Sequence, residues 1–127
     1  MGTLYEHPSA SIQLLDEETL FVVVGVDARE EDVEPFFETF QPLLHERSPK
    51  RLLVDASRLG ETTVRLRWEV LKRLWSERPS VERSAIIGLP ARLETFLWIV
   101  FSLSRRSNVR TFLWRHEALA WLEARSR

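Results

Sequence analysis

Short apolar runs alternate along this chain with longer stretches of helical spacing. Ile12 to Leu15 and Leu20 to Val26 are apolar runs separated by Asp16, Glu17 and Glu18. They are rich in residues that suit strands, and the acidic break between them predicts a hairpin. After Asp27 the polar stretch ARED leads into a segment where Val33, Phe36, Phe37, Phe40, Leu43 and Leu44 recur at spacings of three and four. That spacing predicts a helix with one apolar face. Glu30, Glu31, Asp32 and Glu34 favour the positive end of its dipole, and Pro35 falls where a first turn tolerates it. Pro42 is expected to kink or divide this helix.

Arg51 to Ala56 is a nearly continuous apolar run that includes Asp55, as expected of a central strand buried on both faces. A helix follows from about Thr63 to Glu77, with Val64, Trp68, Leu71 and Trp75 on one stripe, and Pro79 ends it. Ala85 to Leu89 reads as the next strand, and Gly88 with Pro90 punctuates the turn into a helix from Ala91 to about Arg106. Val109 to Leu113 makes the last strand and His116 to Arg125 a terminal helix, whose inward face is Ala118, Leu119, Trp121 and Leu122. The order ββαβαβαβα argues for an α/β fold: a mostly parallel mixed sheet of about five strands, with helices on both faces and an antiparallel hairpin at its start.

Composition narrows the function classes. A chain of 127 residues, 44% hydrophobic, is one domain able to bury a single core. It has no cysteine, so disulfides, thiolate chemistry and cysteine-ligated metal sites are excluded. The N-terminus lacks a basic segment followed by an apolar one, no apolar run is long enough to span a bilayer, and a cytoplasmic protein is expected. His7, His45 and His116 lack metal-ligand spacing, and the four glycines form no phosphate-cradling loop. Neither an enzyme nor a cofactor is expected. A pI near 6.3 and the lack of a recognisable module argue against nucleic acid as a partner.

The net charge of −1 hides an asymmetry. Residues 1 to 46 hold eleven Asp and Glu against one Arg, a balance of −10; residues 47 to 127 hold eight against seventeen Lys and Arg, a balance of +9. Such a chain either offers a basic face to an acidic partner or neutralises itself when early and late elements interleave. Interleaving is the expectation for an α/β topology.

The run LLVDASRLG, then RSAIIGLPARLETFLW, then NVRTFLWRHEALAWLEAR, resembles the SpoIIAA-like branch of the STAS domains, small bacterial proteins related to anti-anti-sigma factors. The resemblance covers Ile12 to Arg125 and implies a single STAS-like domain over 11–127, preceded by an N-terminal extension over 1–10. It implies a regulatory protein that docks a protein partner, and the branch's comparison with the lipid-carrying SEC14 fold implies an alternative, a binder of an apolar ligand. Anti-anti-sigma domains carry an Asp-Ser pair at the start of the helix after the Asp55-type strand, where phosphorylation of the serine controls docking. Here the loop reads SRLGETTVR, with Thr63 and Val64 in register with that pair, so the serine switch is not expected.

Two groups of residues are candidates. The crevice beyond the carboxyl end of a parallel strand is where ligands and partners dock, which singles out Ser57, Glu61, Thr62, Thr63 and Arg65 after Asp55. N-capping accounts for Thr62 or Thr63 at the helix start, and an Asx-type turn for Asp55 with Ser57, and these are the expected roles. The second group comes from the helix after Gly88. With Leu93, Phe96, Leu97, Trp98, Ile99, Val100, Phe101 and Leu103 it is apolar over most of its circumference, more than a sheet-covering helix needs. Phe96, Trp98, Ile99, Phe101 and Arg105 are therefore candidates for a homodimer interface, an apolar ligand pocket or a membrane surface.

Overall fold

The computed structural model describes residues 2–7, 10–24, 29–58, 81–88 and 108–124. They form one six-stranded sheet in the order β1-β2-β3-β4-β5-β6, with β1 Gly2–His7, β2 Ala10–Asp16, β3 Thr19–Val24, β4 Arg51–Asp55, β5 Arg83–Ile87 and β6 Val109–Phe112. Helix α1 spans Glu30–Arg47 and helix α2 spans Arg115–Glu123. The sheet is mixed: antiparallel across β1, β2 and β3, and parallel from β3 to β6. The helices predicted over 63–77 and 91–106 lie outside the described residues.

Six strands replace the expected five because residues 2–7, within the stretch read as an extension, pair along β2 as an edge strand. Its pattern was hidden by a bulge. Thr3 pairs with Gln13 and Tyr5 with Ile12, so Leu4 is the extra residue. Leu4 and Tyr5, neighbours in sequence, consequently both pack on the same side of the sheet, and the alternation expected of a strand is lost.

The two described helices cover opposite faces. On one, Val33, Phe36, Phe37, Phe40 and Leu44 of α1 meet Ile12, Leu20, Val22, Leu52 and Val54. On the other, Ala118 and Leu122 of α2 meet Phe21, Leu53, Ala85 and Ile87. Helix α1 also corrects the proline reading. Pro35 lies in its second turn rather than its first, and the helix runs through Pro42 without dividing. Both prolines are exposed, so the carbonyls of Glu31 and Glu38 that lose their N–H partners lie on the solvent side and can be hydrated.

At the amino end of the sheet the acidic β2–β3 turn is neutralised by the start of β4. Arg51 Nη2 lies 3.3 Å from Glu18 Oε2, Arg51 Nη1 donates to Thr19 Oγ1 at 3.3 Å, and Lys50 Nζ lies 3.4 Å from Glu18 Oε1. Early acids and later bases meet there, as the interleaved topology predicts.

At the opposite end, burial raises the Tyr5 phenol above its ordinary value, and the Asp32 carboxylate adds to the shift. The fold thus favours the neutral phenol. Its contribution is intact below the unfolded-chain value of about 10 and is lost as pH climbs through the raised folded value. Tyr5→Phe is expected to flatten the loss of stability above about pH 10 in urea titrations while leaving neutral-pH stability within about 1 kcal/mol.

Candidate functional site

Because β4, β5 and β6 are parallel, their carboxyl ends lie on one rim of the sheet, and the residues just past them build the candidate site. The chain leaves β4 through an Asx turn: the Ser57 N–H and the Ser57 hydroxyl both donate to Asp55 Oδ1, at 3.0 and 2.7 Å. This is the turn-forming role expected of that pair. Ala56 N–H donates to the Ile87 carbonyl at 2.9 Å, extending the β4–β5 ladder by one residue beyond the strand.

Gly88, which follows β5, sits at φ +70° directly against Ser57. A Cβ placed there would lie 2.6 Å from Ser57 Cβ and 3.0 Å from Ser57 Cα, so only glycine allows the approach. The Gly88 N–H donates to the Phe112 carbonyl at 3.2 Å, which ties in the end of β6. Three loop starts are therefore locked to one another by Asp55, Ser57, Gly88 and Phe112.

Beyond Phe112 the rim becomes apolar and basic. Leu113 is 77% and Trp114 61% exposed. Arg115 opens α2 with its guanidinium 4.7 Å from the Phe21 ring centre. Deeper on the same face, Trp121 of α2 lies 5.8 Å from Phe112. The guanidinium carbons of Arg83 and Arg110 lie 5.1 and 5.9 Å from the Trp121 ring centre, and Arg83 Nη1 donates to the Trp121 carbonyl at 2.6 Å. These contacts set the pitch of α2 across β5 and β6, and with it the position of Trp114.

Of the residues singled out from sequence, Ser57 stands on this rim, exposed and held by Asp55. Glu61, Thr62, Thr63 and Arg65, and all of Phe96, Trp98, Ile99, Phe101 and Arg105, lie outside the described residues. Sequence reasoning missed Leu113, Trp114 and the packing role of Gly88. Counting in twos from Phe112 puts Trp114 on the α2 side of the sheet, but the strand ends at Phe112 and that parity no longer applies.

Removing the turn's acceptor has a predictable cost. Asp55→Ala is expected to lower stability by about 1–2 kcal/mol, since two hydrogen bonds at a partly exposed site are lost. Asp55→Asn keeps an acceptor and should recover most of it, as read from urea midpoints.

Among the described residues no cluster of three or more His, Asp or Glu side chains could hold a metal ion, and no helix is long and apolar enough to cross a membrane. No curated protein and no solved structure matches the chain. The model of the SpoIIAA-like family matches residues 20–123, from β3 through the end of α2, which takes in the whole rim and leaves β1 and β2 outside. The chain belongs to the SpoIIAA-like family, a STAS-type domain.

Proposed function

We propose that this is a non-enzymatic regulatory domain of the cytoplasm that docks a protein partner at the carboxyl ends of its parallel strands. The contact surface begins at Ser57 and continues through Glu61, Thr62, Thr63 and Arg65, without a serine phosphoswitch. The observation that carries this reading is the lock among Asp55, Ser57, Gly88 and Phe112. A loop start fixed by hydrogen bonds and close packing before a partner arrives loses less conformational entropy on docking. Membership of a STAS-type family supports a regulatory rather than a catalytic role.

The triple variant Glu61→Ala, Thr62→Ala, Arg65→Ala is expected to abolish recovery of the partner on the tagged protein while circular dichroism stays unchanged. A complex that survives the triple variant contradicts the reading.

A second reading has a sequence observation behind it. The excess apolar surface from Leu93 to Leu103 suits a bound lipophilic molecule or a second copy of the chain. Native mass spectrometry separates the readings: a co-purifying lipid mass lost on Trp98→Asp supports a carrier, and a clean dimer supports self-association through Phe96, Trp98, Ile99, Phe101 and Arg105.

A further inference from the structure

Two residues at the start of α2 are poor choices for the helix they begin. Trp114 occupies its N-cap and makes no side-chain cap bond, where Ser, Thr, Asp or Asn would satisfy a free N–H and contribute about 1 kcal/mol. Arg115 follows at the first helical position, where the dipole favours an acid and disfavours a cation. Trp114 gains little by burial, being 61% exposed beside Leu113 at 77%. Arg115 has the Phe21 ring as a local partner, but a tryptophan that breaks a cap preference without local gain points to a requirement beyond folding.

The surrounding charge says what that requirement is. Arg58, Arg110 and Arg115 are exposed, and among the described residues none of the three stands in an ion pair. Arg58 follows the Ser57 turn, and Arg110 and Arg115 bracket the exposed pair in sequence. The Arg115 guanidinium lies 4.7 Å from the Phe21 ring centre, and that of Arg110 lies 5.7 and 5.9 Å from the centres of Phe112 and Trp121, so both charges rest against aromatic rings. A guanidinium fork suits carboxylates, and Trp beside Arg is the composition of an interface anchor.

We propose that the β6–α2 turn, Leu113 and Trp114 flanked by Arg58, Arg110 and Arg115, anchors an acidic protein segment that presents an apolar side chain between its carboxylates. This deepens the docking reading above and rests on it, naming the chemistry of the partner. A lipid surface fits less well. Guanidinium groups held against aromatic rings cannot follow mobile headgroups, and one exposed Leu-Trp pair offers little area for insertion.

The test is selection of binding peptides from an unbiased library on the purified full chain, followed by affinity measurement with wild type, Trp114→Ser, Arg115→Glu and the triple alanine variant of the 61–65 segment. Trp114→Ser supplies a cap and should not lower the unfolding midpoint, while Arg115→Glu supplies an acid to the helix start in exchange for the Phe21 contact and should leave the chain folded at the assay temperature. Both should nonetheless weaken the selected peptides by at least about tenfold, the scale of an interface anchor. The peptides should be acidic with an apolar residue, and their affinity should fall with salt.

Peptides without an acidic bias, or unaffected by Trp114→Ser, overturn the proposal. So does Trp114-dependent pelleting with phosphatidylglycerol and phosphatidylcholine vesicles, or a dimer that Trp114→Ser dissociates. Peptides weakened by the triple variant alone leave the docking reading standing and this inference refuted. Peptides insensitive to both sets refute both.

Discussion

Gly88→Val is expected to destabilise the protein by about 2–6 kcal/mol. A β-branched residue at φ +70° is strained by about 1–3 kcal/mol, and a Cβ forced to within 2.6 Å of Ser57 Cβ adds about 1–3 kcal/mol of overpacking. The clash cannot be relieved by a rotamer change, because the nearest atoms are the Ser57 Cβ, Cα and backbone N. Either β5's exit moves away from Phe112, breaking the Gly88 to Phe112 bond, or Ser57 moves away from Asp55. Urea unfolding measures the total. A double-mutant cycle of Gly88→Ala with Ser57→Gly isolates the contact: removing the Ser57 side chain should recover part of the loss, while the part due to positive φ stays.

Phe37→Ala is expected to cost about 3–5 kcal/mol, a large share of the roughly 5–15 kcal/mol that holds a domain folded. Phe37 is 1% exposed within an aromatic cluster, 5.0 Å from Phe36 and 6.0 Å from Phe40, with Phe36 and Phe40 stacked at 5.5 Å. This cluster seats α1 on β2, β3 and β4, so the void opens where helix and sheet meet. Denaturant midpoints should fall without a change in the slope of the transition. The contrasting substitution is Glu38→Ala on the exposed side of the same helix, expected within about 0.5 kcal/mol of wild type.

The readability of the fold followed the burial of each element. Strands β4 and β5 are buried on both faces, so their apolar runs identified them to within two residues, and the spacing of Val33, Phe36, Phe37, Phe40 and Leu44 identified α1 without fixing its ends. Strand β1 escaped because one bulge residue placed Leu4 and Tyr5 on one side. Pro42 did not divide the helix because the cost of a lost hydrogen bond depends on which side of the helix the freed carbonyl lies, a tertiary fact absent from a linear pattern. The charge asymmetry was resolved in part by Glu18 meeting Lys50 and Arg51 across the sheet, residues far apart in sequence.

The site was legible in the same uneven way. Asp55 and Ser57 are two residues apart, and short-range turn chemistry can be read from adjacent letters. The contact between Gly88 and Ser57 joins two loops, and the exposure of Trp114 depends on where β6 stops. Neither leaves a periodic trace. An exposed tryptophan at a helix cap is nevertheless visible once the helix start is known, because the position has a strong chemical preference that tryptophan does not meet.

The central claim is that the carboxyl-end rim is the docking surface, and site-specific photo-crosslinking in cells tests it most directly. A photoreactive side chain at position 58, beside the Ser57 turn, should give one discrete protein adduct, and the same group at position 17, in the turn at the opposite end of the sheet, should give none. Adducts from position 17 with none from position 58 would contradict the account.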